Sequence, residues 1–206
     1  MNKGRLEAFS DRVIAIIITI MVLELRAPHE ADLDALGGVL PAFLSYVLSF
    51  VYVGIYWNNH HHLFHVVQQV SGMTLWANLH LLFWLSLVPF ITRWMGESHF
   101  ATWPVALYGV NLLLCAVAWE IERRVLLRHH DIDSALAKAV GGNALKERLS
   151  LALYVVAIGM AFVNPWIAGA LYALVAAIWF VPDRRIEREL GSASSNPRRD
   201  DGTLDR

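Results

Sequence analysis

The stretch Arg5-Leu6-Glu7-Ala8-Phe9-Ser10-Asp11 stands directly before an apolar run from Val13 to Leu25. The next apolar segment ends in a second polar cluster, Trp57-Asn58-Asn59-His60-His61-His62. Ionisable side chains at membrane depth are costly unless they pair with one another. We therefore expect the two polar clusters to satisfy each other where two helices meet. This predicts that the N-terminal segment is a held, functional helix and not a simple membrane anchor.

The composition indicates an integral membrane protein that lies in a lipid bilayer. The chain has 206 residues, of which 56% are hydrophobic, and eight of them are tryptophans. Such values are unusual for a soluble domain. The formal net charge of -1 gives no indication of a nucleic-acid-binding surface. The single cysteine, Cys115, excludes disulfides within the chain and metal sites built from cysteines.

Six apolar stretches have a length that suits a helix crossing the hydrocarbon core. They are residues 9–25, 36–57, 75–91, 102–118, 149–163 and 166–181. The last two are short, and Asn164-Pro165 between them predicts a tight helical hairpin. We therefore predict an all-α fold with one transmembrane domain of six helices, residues 1–190.

Two regions fall outside these spans. Residues 120–149 are rich in charged side chains and predict a helix that runs out of the membrane, followed by a short amphipathic helix in the cytoplasm. Residues 191–206 are rich in Ser, Asp and Arg without any apolar period, which predicts a disordered cytoplasmic tail.

The distribution of basic residues predicts the orientation of the chain. Basic residues precede the first span, cluster between the fourth and fifth spans, and follow the sixth, whereas Arg26 and Arg93 fall on the opposite side. Lys and Arg are more frequent in cytoplasmic loops than in external ones. We therefore expect a multi-pass membrane protein with both termini in the cytoplasm.

Few ionisable residues fall within the predicted spans. His80 and the flanking Glu24 are the nearest exceptions. Proton pumps and ion-coupled transporters usually place such groups near the midplane, and interrupted helices mark many transporter sites. The pattern therefore disfavours a secondary transporter, although a transporter and a non-catalytic membrane subunit both stay open as alternatives.

The run His60-His61-His62-Leu63-Phe64-His65 has a spacing that would suit metal ligation on one helix face. A histidine-box membrane oxidoreductase needs many more ligands, however, and only His80 and His129-His130 remain. The favoured interpretation is a polar helix end that forms hydrogen bonds with Ser10 and Asp11. We therefore predict no metal, no cofactor and no enzymatic activity, and the oxidoreductase is the least favoured alternative.

The first helix has one distinctive face. At about 100° per residue, Ile16, Thr19, Ile20 and Leu23 share a face, and Asp11 points away from it. That face presents branched apolar side chains and a single hydroxyl. Periodicity alone indicates that such a face contacts lipid or the protein core.

Three motifs stand in order between residues 5 and 90. They are Arg5-x-x-x-Phe9-Ser10-Asp11, Trp57-x-x-His60-x-x-Leu63-Phe64, and Asn78-Leu79 followed by Pro89-Phe90. Together they resemble the first three helices of the transmembrane protein 175 family, which comprises potassium-permeable channels of lysosomes and bacteria. The remainder of the chain resembles the family mainly in having three more spans, so the chain resembles the bacterial branch with one repeat.

The resemblance implies a homotetramer in which four copies of helix one surround a pore for potassium and other monovalent cations. It implies a pore without a carbonyl-lined filter and a leak-type conductance of modest selectivity. Carried over by position, Ile16, Ile20 and Leu23 form the constriction, and Thr19 is the hydroxyl layer linked to cation preference. Such a ring of apolar side chains can close a pore by dewetting.

The resemblance also implies a polar network that holds helix one in place. Its members are Arg5, Phe9, Ser10, Asp11, Trp57, His60 and Asn78. Within it we expect Asp11 and His60 to pair at the cytoplasmic ends of the first two helices. Arg12 departs from the small or neutral residue expected at its position, and it either tunes cation entry or turns away from the pore.

Overall fold

A computed structural model of the chain describes residues 3–28, 35–67, 70–128 and 144–180. Within these ranges there are seven α-helices and no strand, which confirms the all-α prediction. The helices are α1 (Lys3–Leu23), α2 (Ala35–Val66), α3 (Gly72–Ser86), α4 (Val88–Glu97), α5 (Thr102–Leu127), α6 (Ala144–Ala161) and α7 (Pro165–Phe180).

The helices coincide with the six predicted stretches when α3 and α4 are taken together. These two are interrupted only at Leu87, and Pro89 lies in the first turn of α4, where a missing N–H breaks no helical hydrogen bond. Three described stretches are long and apolar enough to cross a membrane, namely Ala35–Phe64, Gly72–Glu97 and Thr102–Leu127, and α7 is a shorter apolar helix. The chain is thus a multi-pass membrane protein, while the count of six spans stays a prediction.

Several helix ends differ from the predicted spans. α2 continues past Trp57 to Val66, so the histidine run is helical, and α5 continues past Ala118 to Leu127, as predicted for a helix running on from the fourth span. The second helix expected in that connection and the tail at 191–206 lie outside the described residues. The predicted hairpin between α6 and α7 is confirmed, because the two helices pack against each other across the short break at 162–164. In this turn Asn164 Oδ1 accepts a hydrogen bond of 2.9 Å from the Trp166 amide.

The core between α2, α5 and α7 is rich in tyrosine. A buried phenol needs a hydrogen-bond partner for its hydroxyl. Tyr52 donates to the Tyr172 carbonyl at 2.7 Å, and Tyr172 donates to the Val105 carbonyl at 3.2 Å. Tyr108 and Ser49 share a hydrogen bond of 3.0 Å. Because these bonds join three helices, they fix the scaffold against which the N-terminal helix packs.

α1 packs against the rest of the subunit through one side only. Ile14, Ile17 and Met21 are buried in a cluster with Leu81 and Leu85 of α3. The buried positions of α1 recur every three or four residues and are Leu6, Ser10, Ile14, Ile17 and Met21. This spacing gives a single buried stripe, and the described residues of the subunit leave the opposite side of the helix uncovered.

Candidate pore helix and its polar attachment

The residues predicted for the constriction lie on the uncovered side of α1. Ile16 is 57% exposed, Ile20 is 41% exposed and Leu23 is 75% exposed, whereas the neighbouring Ile17 is only 3% exposed. Exposed side chains of this size are unfavourable in water and are stable against lipid or against another protein surface. The helix therefore has a fixed side and an apolar side that a membrane or further subunits must cover.

Thr19 lies on the same uncovered side, one turn above Ile16 along the helix. Its hydroxyl donates to the Ala15 carbonyl at 2.8 Å. Because the hydroxyl proton is used within the helix, the oxygen lone pairs of Thr19 remain on the uncovered side. This gives the apolar stripe one polar oxygen that can face a cation.

The buried side of α1 is attached by a polar network around Asn78. Ser10 of α1 places its hydroxyl 3.1 Å from Asn78 Oδ1 on α3, and it also lies 3.0 Å from the Leu6 carbonyl. His60 of α2 donates from Nε2 to the same Asn78 oxygen at 2.9 Å. All three side chains that meet here are buried. The network therefore joins α1, α2 and α3.

Asp11 pairs with Trp57 rather than with His60. The indole Nε1 of Trp57 donates to Asp11 Oδ1 at 3.1 Å. Trp57 also stacks on His61, and His61 Nδ1 lies 3.2 Å from Glu7 Oε1. The expected pair of Asp11 and His60 is not formed. Asp11 and Glu7 contact Trp57 and His61 at the surface, whereas His60 bonds to Asn78 of α3.

Arg5, Phe9 and Arg12 lie on the uncovered side of α1. None of them takes part in a hydrogen bond or ion pair among the described residues, so the structure does not bring Arg5 and Phe9 into the buried network within one subunit. Arg12 lies about 40° around the helix from Ile16 at 100° per residue. Arg12 therefore lies on the side of the helix that carries the apolar stripe. This position fits the interpretation that Arg12 tunes cation entry and not the one in which it turns away.

Sequence reasoning missed one residue of this site, Glu122 of α5. Its side chain is fully buried, and its Oε1 lies 3.8 Å from His60 Nε2. Neither carboxylate oxygen has a hydrogen-bond partner among the described residues. A signal was available, because Glu122 follows the buried residues Cys115 and Ala118 at spacings of seven and four, which places all three on one helix face.

The other end of α1 is joined to α4 through charges. Glu24 Oε2 lies 2.5 Å from Arg93 Nη1, and Arg93 Nε donates to Glu97 at 3.0 Å. His80, the other ionisable group expected within a span, accepts a hydrogen bond of 2.9 Å from Trp84 Nε1 on its own helix. Helix one is therefore attached at both ends, by a buried network at one and by an ion pair at the other.

The histidine run divides between the core and the surface. His60 is buried and stacks on Phe64 with ring centroids 4.4 Å apart, whereas His61 and His62 are exposed. Among the described residues, no three His, Cys, Asp or Glu side chains form a group that could hold a metal ion. The absence of a metal from the whole run stays a prediction.

Comparison with known proteins places this geometry in a family. The family model described as endosomal/lysosomal potassium channel TMEM175 matches residues 5–89, which contain nearly all of α1 and the entire Ser10, His60 and Asn78 network. A potassium channel from Chryseobacterium sp. is 55% identical over 92% of this chain and 98% of that protein. A potassium channel from Streptomyces collinus is 33% identical over 85% of this chain and 91% of that protein.

A solved structure agrees with both sequence matches. The crystal structure of a lysosomal potassium-selective channel TMEM175 homolog from Chamaesiphon minutus superposes with a TM-score of 0.74 at 28% identity. The match covers 86% of this chain and 95% of that chain. The similarity therefore extends over the helices that follow residue 89 as well as those before it. The chain belongs to the TMEM175 family of potassium channels.

Proposed function

We propose that this chain is one subunit of a homotetrameric, potassium-permeable channel of the plasma membrane, with four copies of α1 around the ion path. The observation that supports the proposal is the exposed stripe of Ile16, Ile20 and Leu23 on a helix whose other side is buried. Lipid could cover such a stripe equally well. The relatives named as potassium channels, at 55% and 33% identity over most of the chain, favour a pore.

In this proposal the stripe acts as a hydrophobic constriction. Four Ile16 side chains form a ring at one level, and Ile20 and Leu23 repeat the narrowing at the next two turns. Rings of this kind exclude water when the pore is narrow, and an ion cannot pass without its water. A small rotation of α1 would move the side chains aside, and conduction would then begin without any charged gate.

Selectivity in the proposed pore depends on few oxygen atoms. Thr19 offers one hydroxyl oxygen per subunit on the uncovered side, and its proton is held by the Ala15 carbonyl. One ring of hydroxyls replaces only part of the hydration shell of an ion, in contrast to stacked carbonyl rings. We therefore expect a leak-type conductance with a modest preference for potassium over sodium.

Efflux of potassium from liposomes that contain the purified protein tests the pore face. Ile16→Asn should raise basal flux several-fold, because an amide keeps water in the constriction. Ile17→Asn is the matched variant on the buried side and should lower stability without raising flux. Val155→Asn on α6 is a second control, because Val155 is 59% exposed but belongs to a different helix. If Ile17→Asn opened the protein and Ile16→Asn did not, the assigned face would be wrong.

The role of Thr19 is tested by Thr19→Val, which keeps the shape of the side chain and removes its oxygen. The ratio of potassium to sodium permeability, taken from reversal potentials, should fall while conduction persists. An unchanged ratio would remove Thr19 from the selectivity layer. A wild-type protein without any flux in liposomes would contradict the channel proposal itself and would favour a non-catalytic membrane subunit.

The proposed orientation places both termini in the cytoplasm and residues 26–35 and 92–101 outside. Cys115, the only cysteine, is buried, so a thiol introduced elsewhere reports its own position. A cysteine at Gly191 should react with a membrane-impermeant maleimide only after the cells are opened, and a cysteine at Ser98 should react in intact cells. The reverse pattern would overturn the orientation.

A further inference from the structure

A cavity of about 300 Å³ lies between α2, α5, α6 and α7, at the end of the bundle where α5 ends and α6 begins. None of its lining residues belongs to α1. The body of the cavity is aromatic and aliphatic, with Tyr52, Ile55, Tyr56, Trp119, Leu151 and Trp179 among its walls. The cavity is large enough for part of a ligand and is separate from the proposed ion path.

The rim of this cavity is charged, with three arginines facing two glutamates and one positive charge in excess. Arg123 is held between Glu120 at 2.7 Å and Glu147 at 3.2 Å, and its side chain is 14% exposed. Its charge is therefore matched by carboxylates on two helices. This leaves the other two arginines as the groups that could bind a ligand.

Arg124 and Arg148 differ from Arg123 in their surroundings. Among the described residues, Arg124 donates only its Nε, to Glu120 at 2.6 Å, and its side chain is 69% exposed. Arg148 is exposed and takes part in no ion pair among the described residues. Terminal guanidinium N–H groups that stand free at a rim match the geometry of a phosphate. The rim can thus accept one anionic group.

The depth of the cavity decides which anion it fits. Its body is lined by Ile55, Ala116 and Leu151, which lie within the spans predicted from the sequence at 36–57, 102–118 and 149–163. Arg124 lies beyond the end of the predicted span 102–118, and Arg148 directly precedes the span 149–163. A basic opening between transmembrane helices above an apolar body is the arrangement that binds lipid headgroups. We propose that this cavity binds an anionic phospholipid, with its phosphate against Arg124 and Arg148 and part of one acyl chain along the aromatic body.

Native mass spectrometry of the full-length protein in detergent tests the headgroup. Phosphatidylglycerol and phosphatidylcholine with identical acyl chains should be compared as probes. The wild type should bind phosphatidylglycerol more tightly, and Arg124→Gln with Arg148→Gln should weaken that binding by about fivefold for each arginine removed. The pair Arg124→Lys with Arg148→Lys keeps the charge and should retain most of the preference. Arg128→Gln, an exposed arginine outside the cavity lining, is the matched control and should change nothing.

A second measurement tests the apolar body and separates lipid from a free anion. Leu151→Trp should fill the cavity and abolish the rise in melting temperature that phosphatidylglycerol causes, although both arginines remain. If Leu151→Trp does not fold, Ile55→Phe replaces it. Equal binding of the two lipids, loss of the preference in Arg128→Gln, or stabilisation by inorganic phosphate that equals that of phosphatidylglycerol would each overturn the proposal.

Discussion

Two polar clusters at the same end of the bundle are built in opposite ways. The first joins Ser10, Asn78 and His60 through buried hydrogen bonds, beside Glu122. The second joins Glu120, Arg123, Arg124 and Glu147 through ion pairs of which several members are partly exposed. In the first cluster each atom has few partners, and in the second each arginine or glutamate can exchange one partner for another or for water.

This difference indicates which cluster fixes the position of the proposed pore helix. A buried donor or acceptor that loses its partner bears the full desolvation penalty, so a network of such groups tolerates only one arrangement. Exposed ion pairs contribute little and are screened by salt. We therefore expect the register of α1 to depend on the network around Asn78. Substitutions in this network should lower the free energy of unfolding more than substitutions in the ionic cluster.

The largest effect is expected for Asn78→Ala. The substitution removes the one atom that both Ser10 and His60 contact. It leaves the buried His60 Nε2 without a hydrogen-bond partner, and Ser10 keeps only its bond to the Leu6 carbonyl within α1. It should lower the free energy of unfolding by about 2 kcal/mol. Thermal melting of the purified protein in detergent measures the loss, and Asn58→Ala on the exposed side of α2 is the control. A melting temperature equal to that of the wild type would mean that packing alone positions α1.

Glu122 should show a smaller effect that depends on the substitution. Glu122→Ala leaves a void between α5 and His60 and should cost about 1–2 kcal/mol. Glu122→Gln keeps the shape and removes the ionisable group, so its cost should be far smaller, because a buried charge is expensive to keep. The same melting experiment compares the alanine and glutamine variants of Glu122. Equal losses for the alanine and glutamine variants would show that the carboxyl group itself, and not its volume, supports His60.

Asp11→Ala should follow, with a loss of about 1 kcal/mol and a lower yield of tetramer. Asp11 accepts one hydrogen bond, from Trp57, at an exposed position. Trp57→Phe removes the donor of the same hydrogen bond and keeps an aromatic ring. The two variants should therefore have the same melting temperature. Should Asp11→Ala assemble normally and alter only the conductance, Asp11 would belong to the permeation path and not to the scaffold.

The sequence was sufficient to predict the features that depend on local spacing. The helical stretches follow from apolar length, and the common face of Ile16, Ile20 and Leu23 follows from the period of 3.6 residues. The ion pairs of Glu120 with Arg123 and Arg124 have spacings of three and four, which is also a local pattern. Each of these features depends on residues within one helix, although the two ion pairs were not among the predictions made from the sequence.

Contacts between helices could not be predicted in the same way. Ser10 and Asn78 are 68 residues apart, and Asp11 and Trp57 are 46 apart. Whether Asp11 meets Trp57 or His60 depends on how α1 and α2 rotate against each other, and the two candidates lie three residues apart on one helix. From the sequence, Glu122 belongs with its charged neighbours to the part of the helix that runs out of the membrane. In the structure, the rotation of α5 about its axis buries Glu122 and places Glu120, two residues earlier, on the rim of the cavity.

The smallest effect is expected in the ionic cluster and depends on pH. Burial raises the pKa of Glu147 above its ordinary value of 4.5, and Arg123 at 3.2 Å only partly offsets this. The folded protein therefore keeps a proton that the unfolded chain has already released, so stability should fall as pH rises from 4.5 through the raised pKa and then level off. Glu147→Gln should make this slope shallower in melting curves taken across that range. The opposite result would be a wild-type stability that rises over the same range and a Glu147→Gln variant that lacks this rise. It would mean that the ion pair with Arg123 outweighs burial. The ionic cluster would then hold α5 and α6 together more strongly than its comparison with the network around Asn78 implies.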